Sequence, residues 1–377
     1  MPAVINTNIS SLNTQRNVGA SGAALATSIQ RLSTGLRVNS AKDDAAGLAI
    51  AERMSAQVRG LNVAARNAND GVSLAQTAEG ALGKIGEMVQ RVRELAVQSS
   101  NATNTQTDRD ALQQEVSELK SEIDRVAGST NFNGTKLING SFSSAKFQVG
   151  ADAGESITVS SITNASLAGM GTVNRASRDS STAITDLTAT ALADLTINGT
   201  DIGVLAAAGT TQERQAQVVD AINRISTTTN VGAYLDTANN KIVLTSNADI
   251  TITGAAGAKV GFVAADSATA TTSANMASLD ISSYGGAQLA IQQADAALKQ
   301  VNTARASLGA LQSRFENAVS NIQIATENVT AARSRIMDTD FATETANMTR
   351  SQILQQAGNA MLSQANQMPQ QVLALLR

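Results

Sequence analysis

Cysteine, histidine and tryptophan are all absent from this chain of 377 residues. Without cysteine there can be no disulfide, thiol nucleophile or thiolate metal site. Without histidine the chain lacks the commonest general base and the commonest transition-metal ligand. Aromatic residues make up only 2%, two Tyr and six Phe, so a large core built on aromatic burial is excluded. Ala, Leu, Ile and Val must do the packing, which suits closely spaced helices. The net charge is only −3, basic residues are scattered and stacking aromatics are scarce, so no nucleic-acid partner is expected. No apolar run approaches the roughly 18 residues of a membrane span, and Met1-Pro2-Ala3-Val4-Ile5-Asn6 has neither the basic nor the apolar region of a secretory signal. The chain is therefore expected to stay in the cytoplasm or to leave by a route that reads no cleaved signal. The one adjacent acidic pair near a glycine turn, Asp43-Asp44, fits the start of a helix better than a catalytic dyad. No enzyme activity and no cofactor is expected.

What the chain does have is a period of seven. Val301, Leu308, Phe315, Ile322, Val329 and Ile336 mark one stripe, with Leu298, Leu311 and Val319 partly filling the offset seam. A heptad stripe belongs to a long helix buried along one narrow face against another helix. No partner lies nearby in sequence. The best candidate is Ile50, Met54, Val58, Leu61, Val72, Leu82, Ile85, Val89 and Val92, more than two hundred residues upstream. The two ends of the chain should therefore pack together and carry the middle as an insert, the plan of a structural rod.

Along the chain, Leu25, Ile29, Leu32 and Leu36 have helical spacing, broken from Gly35 to Ala41. A long Ala-rich helix should run from about Lys42 to Ser99. A second follows, with Leu112, Val116, Leu119, Ile123 and Val126 on one face and Gly128 at its end. Asn133-Gly134 and Asn139-Gly140 are hairpin dipeptides, followed by alternation at Phe147/Val149 and Ile157/Val159. From about residue 175 the composition shifts to Thr, Ser, Ala and Asp, and residues 176–280 hold five basic against ten acidic side chains. Hairpins at Asn198-Gly199 and Asn239-Asn240 and a short helix through Val218 and Ile222 suggest a ββαββ module ended by Gly285-Gly286. The heptad helix should then run from Ala287 to about Ala332, about 70 Å. After Asp338-Thr339-Asp340 a last helix places Ile353, Ala357, Met361, Ala365, Met368 and Val372 near one face, and Leu373, Leu375 and Leu376 crowd the end. Neither terminal helix can bury its stripe alone.

Three stretches carry a resemblance: Gln30–Ala51, QRLSTGLRVNSAKDDAAGLAIA; Gln90–Ser99, QRVRELAVQS; and Ala332–Arg377, ARSRIMDTDFATETANMTRSQILQQAGNAMLSQANQMPQQVLALLR. They resemble flagellin, the subunit of the bacterial flagellar filament. The likeness covers roughly residues 1–175 and 278–377, and the middle resembles, with less specificity, a module found in some flagellin inserts. It implies a mainly α fold with an α+β insert: terminal helices paired as a coiled-coil rod, β-hairpins beside the rod, and a small solvent-facing α+β module. By resemblance, residues 1–43 and 333–377 form the inner core, 44–175 and 278–332 the helical rod domain, and 176–277 the outer module.

The resemblance further implies a self-assembling helical homopolymer for swimming, extracellular in the filament and exported unfolded through the flagellar type III channel. Its implied partners are an export chaperone, cap and junction proteins, and host innate immune receptors. Gln90, Arg91, Leu95 and Glu115 match positions contacted by Toll-like receptor 5. Gln30–Ala51 resembles an epitope of a plant receptor kinase, with Leu36 standing where many members carry a small polar residue. Leu373, Leu375 and Leu376 match residues used by a cytosolic inflammasome receptor. Assembly and packing are expected of Leu25, Ile29, Leu32, the six heptad residues, Ile353, Met361, Met368, Val372 and the three terminal leucines. A hook–filament junction protein, which carries weaker versions of these signatures, and a secreted adhesin on the same scaffold are the alternatives. Dense Ser and Thr at 177–190 and 267–283 make glycosylation of the module conceivable.

Overall fold

The computed structural model describes residues 7–101, 103–236, 239–254, 257–270 and 272–375. Four long helices dominate: α1 (Ile9–Thr34), α2 (Ala45–Ser99), α7 (Tyr284–Met337) and α8 (Phe341–Leu375), with α3 (Gln106–Ser129) following α2. The strands are β1 (Asn131–Phe132), β2 (Thr135–Lys136), β3 (Ala145–Gln148), β4 (Ser156–Val159), β5 (Val173–Asp179), β6 (Thr196–Ile197), β7 (Thr200–Asp201), β8 (Val231–Asp236), β9 (Lys241–Ser246), β10 (Ile252–Thr253) and β11 (Thr272–Ala274). Helix α4 (Thr211–Arg224) and the single turns α5 (Ser226–Thr229) and α6 (Gly257–Val260) complete the insert. The chain forms two compact units: Met1–Asn69 with Gln148–Ser156 and Asn317–Arg377, and Asp70–Phe147 with Ile157–Glu316.

In the second unit, α2 and α7 run antiparallel. Arg93 Nε donates to Asp295 at 2.6 Å, Gln312 Nε2 donates to Glu79 at 2.8 Å, and the Phe315 ring lies over Gly71. Leu82, Ile85, Val89 and Val92 are fully buried, as are Val301 and Phe315. Between the larger side chains the seam is alanine: Ala75, Ala78, Ala290, Ala294 and Ala297 are all inaccessible. This is how a chain poor in aromatics brings long helices close. Phe147, on β3, meets Phe315 edge-on at 5.5 Å and 82°, tying the β3–β4 hairpin to the helices.

Helix α3 starts on a reciprocal cap: Thr105 Oγ1 accepts from Asp108 N at 3.3 Å, and the Asp108 carboxylate accepts from Thr105 N at 2.9 Å. It does not stop at Gly128. It runs one residue further and closes on Thr130, whose amide and hydroxyl both donate to Val126 O, so no left-handed glycine is required. Asn133-Gly134 makes the expected tight turn between β1 and β2, both residues at positive φ. Asn139-Gly140 does not make a hairpin. It turns the chain after Ile138, whose carbonyl accepts from Ala165 N at 2.7 Å, and no paired strands flank it.

The insert has more strands than ββαββ. One antiparallel sheet is ordered β11-β5-β9-β8 and a second β10-β6-β7. Leu195, Ile197, Val218, Ile222, Ile242, Leu244, Ile252 and Phe262 meet in one core. Buried Arg214 donates through Nη2 to Leu187 O and Thr188 O, at 2.7 and 2.6 Å, stitching α4 to the preceding loop. Helix α7 begins at Tyr284, so Gly285-Gly286 opens the helix rather than ending the module, and it continues to Met337.

Candidate assembly surfaces

In the first unit α1 and α8 pair antiparallel. Asn8 Nδ2 donates to Ala365 O at 2.7 Å, Ser11 Oγ donates to Asn366 Oδ1 at 2.8 Å, and Arg31 Nη1 lies 3.7 Å from the buried carboxylate of Glu344. The seam is small and polar: Ser11, Ser28, Ser351 and Ala365 are buried, and Gly358 faces Val18. The large apolar side chains point away. Ile9 is 67% exposed, Ile29 51%, Phe341 57%, Ile353 60%, Leu354 52% and Met361 64%. Phe341, Thr345, Ala346, Thr349, Ile353 and Leu354 line one open trough along α8.

The terminal stripe is thus divided. Ala365 is buried, whereas Ile353, Ala357 and Met361 are exposed. A spacing of four drifts about 40° per step around a 3.6-residue helix, so residues twelve apart no longer share a face. Leu25 and Leu32 are half-buried. Among the heptad residues, Val301, Leu308, Phe315 and Ile322 are buried, and Val329 and Ile336 half-buried. The side chains of Met368, Val372, Leu373 and Leu375, and all of Leu376, lie outside the described residues.

The link between α1 and α2 is locked to the α7–α8 link. Gly35, left-handed at φ 71°, ends α1, and its carbonyl accepts from Thr339 N at 3.0 Å. Leu36 and Asp338 form a β-bridge, and Arg37 donates to Ile336 O at 2.8 Å through Nη2. Val38, Ala51 and Met337 bury one another there, with Leu36, Leu48 and Ile336 packed against them. The acidic pair serves this turn. Asp43 accepts from the Ser40 hydroxyl and from the amides of Ser40 and Asn39, which hold its carboxyl below the usual range, and Asp44 caps Gly47 N at 2.8 Å. Asp340 starts α8 likewise, its carboxyl lowered by the Thr343 hydroxyl, then by the amides of Thr343 and Ala342.

On α2 and α3 the fold brings Arg91 and Glu115 together. Arg91 Nε donates to Glu115 Oε1 at 2.8 Å and Nη1 to Glu94 Oε2 at 3.1 Å, and these contacts, Glu115 first, raise the guanidinium further. Both partners are exposed and screened by solvent, so the pair contributes little to folding. Gln90 is exposed beside them, whereas Leu95 is buried in the core below. Sequence reasoning missed the small-residue seam of α1 and α8, because serine and glycine leave no mark in hydropathy. It also missed the lock at Arg37, whose basic side chain looks like any solvated charge.

Comparison with known proteins gives these surfaces a class. The pattern of the bacterial flagellin N-terminal helical region matches residues 5–143, and that of the bacterial flagellin C-terminal helical region matches residues 291–376. Flagellin B of Vibrio anguillarum is 41% identical, the match covering 99% of each chain. B-type flagellin of Pseudomonas aeruginosa PAO1 is 38% identical over the whole of both. Among solved structures, FliC from Burkholderia pseudomallei is 26% identical, covering 65% of this chain and 99% of that one, at a TM-score of 0.40. The class is a structural subunit of a filament. The chain belongs to the bacterial flagellin family and is a subunit of the flagellar filament. The relatives named here that match end to end are flagellins, which favours this reading over a junction protein. No helix among the described residues is long and apolar enough to cross a membrane.

Proposed function

We propose that the chain polymerises through α1 and α8, the pair acting as one preassembled element whose outward apolar faces are covered by neighbouring subunits. One observation carries this reading: the intramolecular seam uses Ser11, Ser28, Ser351 and Gly358, leaving Ile29, Ile353, Leu354 and Met361 uncovered. Apolar area of that kind is worth about 1.5–3 kcal/mol per large side chain when buried. Contacts are head-to-tail, and an open helix results because the rotation does not close. Residues 1–43 and 333–377 form the inner core, 44–175 and 278–332 the rod domain, and 176–277 the outer module. The subunit is not an enzyme. It leaves the cell through the flagellar export channel, and meets an export chaperone, the cap and the junction proteins on its way. Filament seeds added to purified monomer are expected to elongate, as seen by electron microscopy. Monomer that stays monomeric at all concentrations overturns the reading.

The surface around Gln90, Arg91 and Glu115 serves in addition as a site for an innate immune receptor, with Leu95 supporting it from the core. The support is energetic. An exposed ion pair adds little to folding, whereas the same charge desolvated in an interface costs about 2–5 kcal/mol when its partner is lost. Arg91→Glu is therefore expected to leave the melting temperature of the monomer nearly unchanged and to cut Toll-like receptor 5 reporter signalling at least about tenfold. Intact filaments should signal poorly. Equal signalling from wild-type monomer, variant monomer and filament sinks the assignment.

A further inference from the structure

The chain has two tyrosines, fifty residues apart, and the fold brings both to one cleft of about 440 Å³. Tyr234 lies on β8 and Tyr284 is the first residue of α7, their ring centroids 6.2 Å apart and the planes inclined at 56°. The close approach depends on Gly285, where a Cβ would fall 2.2 Å from Tyr234 Cε1. Asn230, Thr245, Gln288 and Gln292 complete the lining that matters here. Tyr284, Gln288 and Gln292 follow at steps of four along one face of α7. Neither glutamine amide and neither phenol has a hydrogen-bond partner among the described residues. Asn223, by contrast, is committed to the wall: its amide donates to Ala233 O at 2.9 Å and accepts from Ala233 N at 2.8 Å.

The chemistry of the lining narrows the ligand. None of the side chains lining the cleft is charged, so neither an anion nor a metal cation meets a direct counter-charge there. A purely apolar ligand would leave the amides and phenols desolvated and unpaired, which opposes binding. A proline-rich peptide needs aromatic walls arranged as a groove, whereas these two rings form a single corner. What remains is a ligand with an apolar C–H face for the aromatic corner and hydroxyls for amides that donate and accept. We propose that this cleft is a binding subsite for a neutral oligosaccharide. The Tyr234 phenol is protonated at neutral pH and can donate to a sugar oxygen. Residues 176–277 alone hold a single tyrosine and no tryptophan, and it is the start of α7 that supplies the second ring.

The composition makes the test specific. With no tryptophan in the chain, intrinsic fluorescence comes from Tyr234 and Tyr284 and reports on this cleft. The full-length monomer is titrated with maltotriose, triacetylchitotriose and lactose, and separately with a proline-rich decapeptide, with saturation-transfer NMR on the sugar protons in parallel. At least one sugar is expected to give a saturable fluorescence change with a Kd of about 1–10 mM and transfer to its ring C–H protons. Gln288→Ala with Gln292→Ala should weaken it at least about tenfold at unchanged helical circular dichroism. No saturable response to any of the three sugars up to about 50 mM, a response that survives the double substitution, or saturable binding of the peptide alone would overturn the proposal.

Discussion

Phe315→Ala is expected to lower the unfolding free energy of the unit formed by Asp70–Phe147 and Ile157–Glu316 by about 3–5 kcal/mol. Phe315 is wholly buried, its ring lies over Gly71, and Phe147 packs edge-on against it. Truncation removes the transfer free energy of the ring and leaves a cavity that rigid flanking helices cannot close. It also removes the aromatic pair, itself about 0.5–1.5 kcal/mol. Phe147→Leu should cost less, since its side chain is only half-buried, and should act mainly by loosening the β3–β4 hairpin. With six phenylalanines in the chain, no nearby aromatic can take over. Urea unfolding followed by helical circular dichroism measures the difference. A loss below about 1 kcal/mol would mean that the alanine seam, not this ring, secures the contact between α2 and α7.

The heptad helix could be read from sequence because its large apolar residues keep a strict period, but its distant partner only in part: Leu82, Ile85, Val89 and Val92 are buried, whereas Met54, Val58, Leu61 and Val72 are half-buried and Ile50 is exposed. The Asn133-Gly134 and Asn198-Gly199 turns were legible because positive φ selects those residues. Other elements were hidden for physical reasons. Strand β5, Val-Asn-Arg-Ala-Ser-Arg-Asp, has no strand propensity to speak of, and it is extended because β9 and β11 pair with it from either side. The sequence pattern starts α7 three residues late because Gly285-Gly286 looks like a breaker, whereas packing against Tyr234 requires a residue without a side chain. Most consequential was the face of α8. Period alone marks Ile353 and Met361 as apolar but cannot say whether they turn toward α1. The seam is chosen by small side chains, since Ser11, Ser28, Ser351 and Gly358 let the backbones approach, and the bulky residues are left outside.

That division makes the largest functional effect predictable. Ile353→Asp combined with Met361→Asp is expected to abolish seeded filament growth while leaving the monomer folded. In the monomer both side chains are mostly exposed, so each substitution should change stability by no more than about 0.5 kcal/mol, and the α1–α8 hydrogen bonds at Asn8 and Ser11 do not involve them. In a filament the same positions would lose about 1.5–3 kcal/mol of apolar burial each. A carboxylate without a partner would be forced out of water as well. Loss of about 3 kcal/mol per subunit raises the critical concentration about a hundredfold, beyond any practical assembly condition. Asn239→Asp, in the turn between β8 and β9, adds a like charge on the insert and should polymerise normally. Sedimentation and electron microscopy of the seeded proteins, with circular dichroism of each monomer, separate the outcomes. Filaments from the double variant at wild-type concentration would show that the outward faces of α8 are not assembly surfaces, and loss of growth in the Asn239 variant would show that added charge alone is enough to block it.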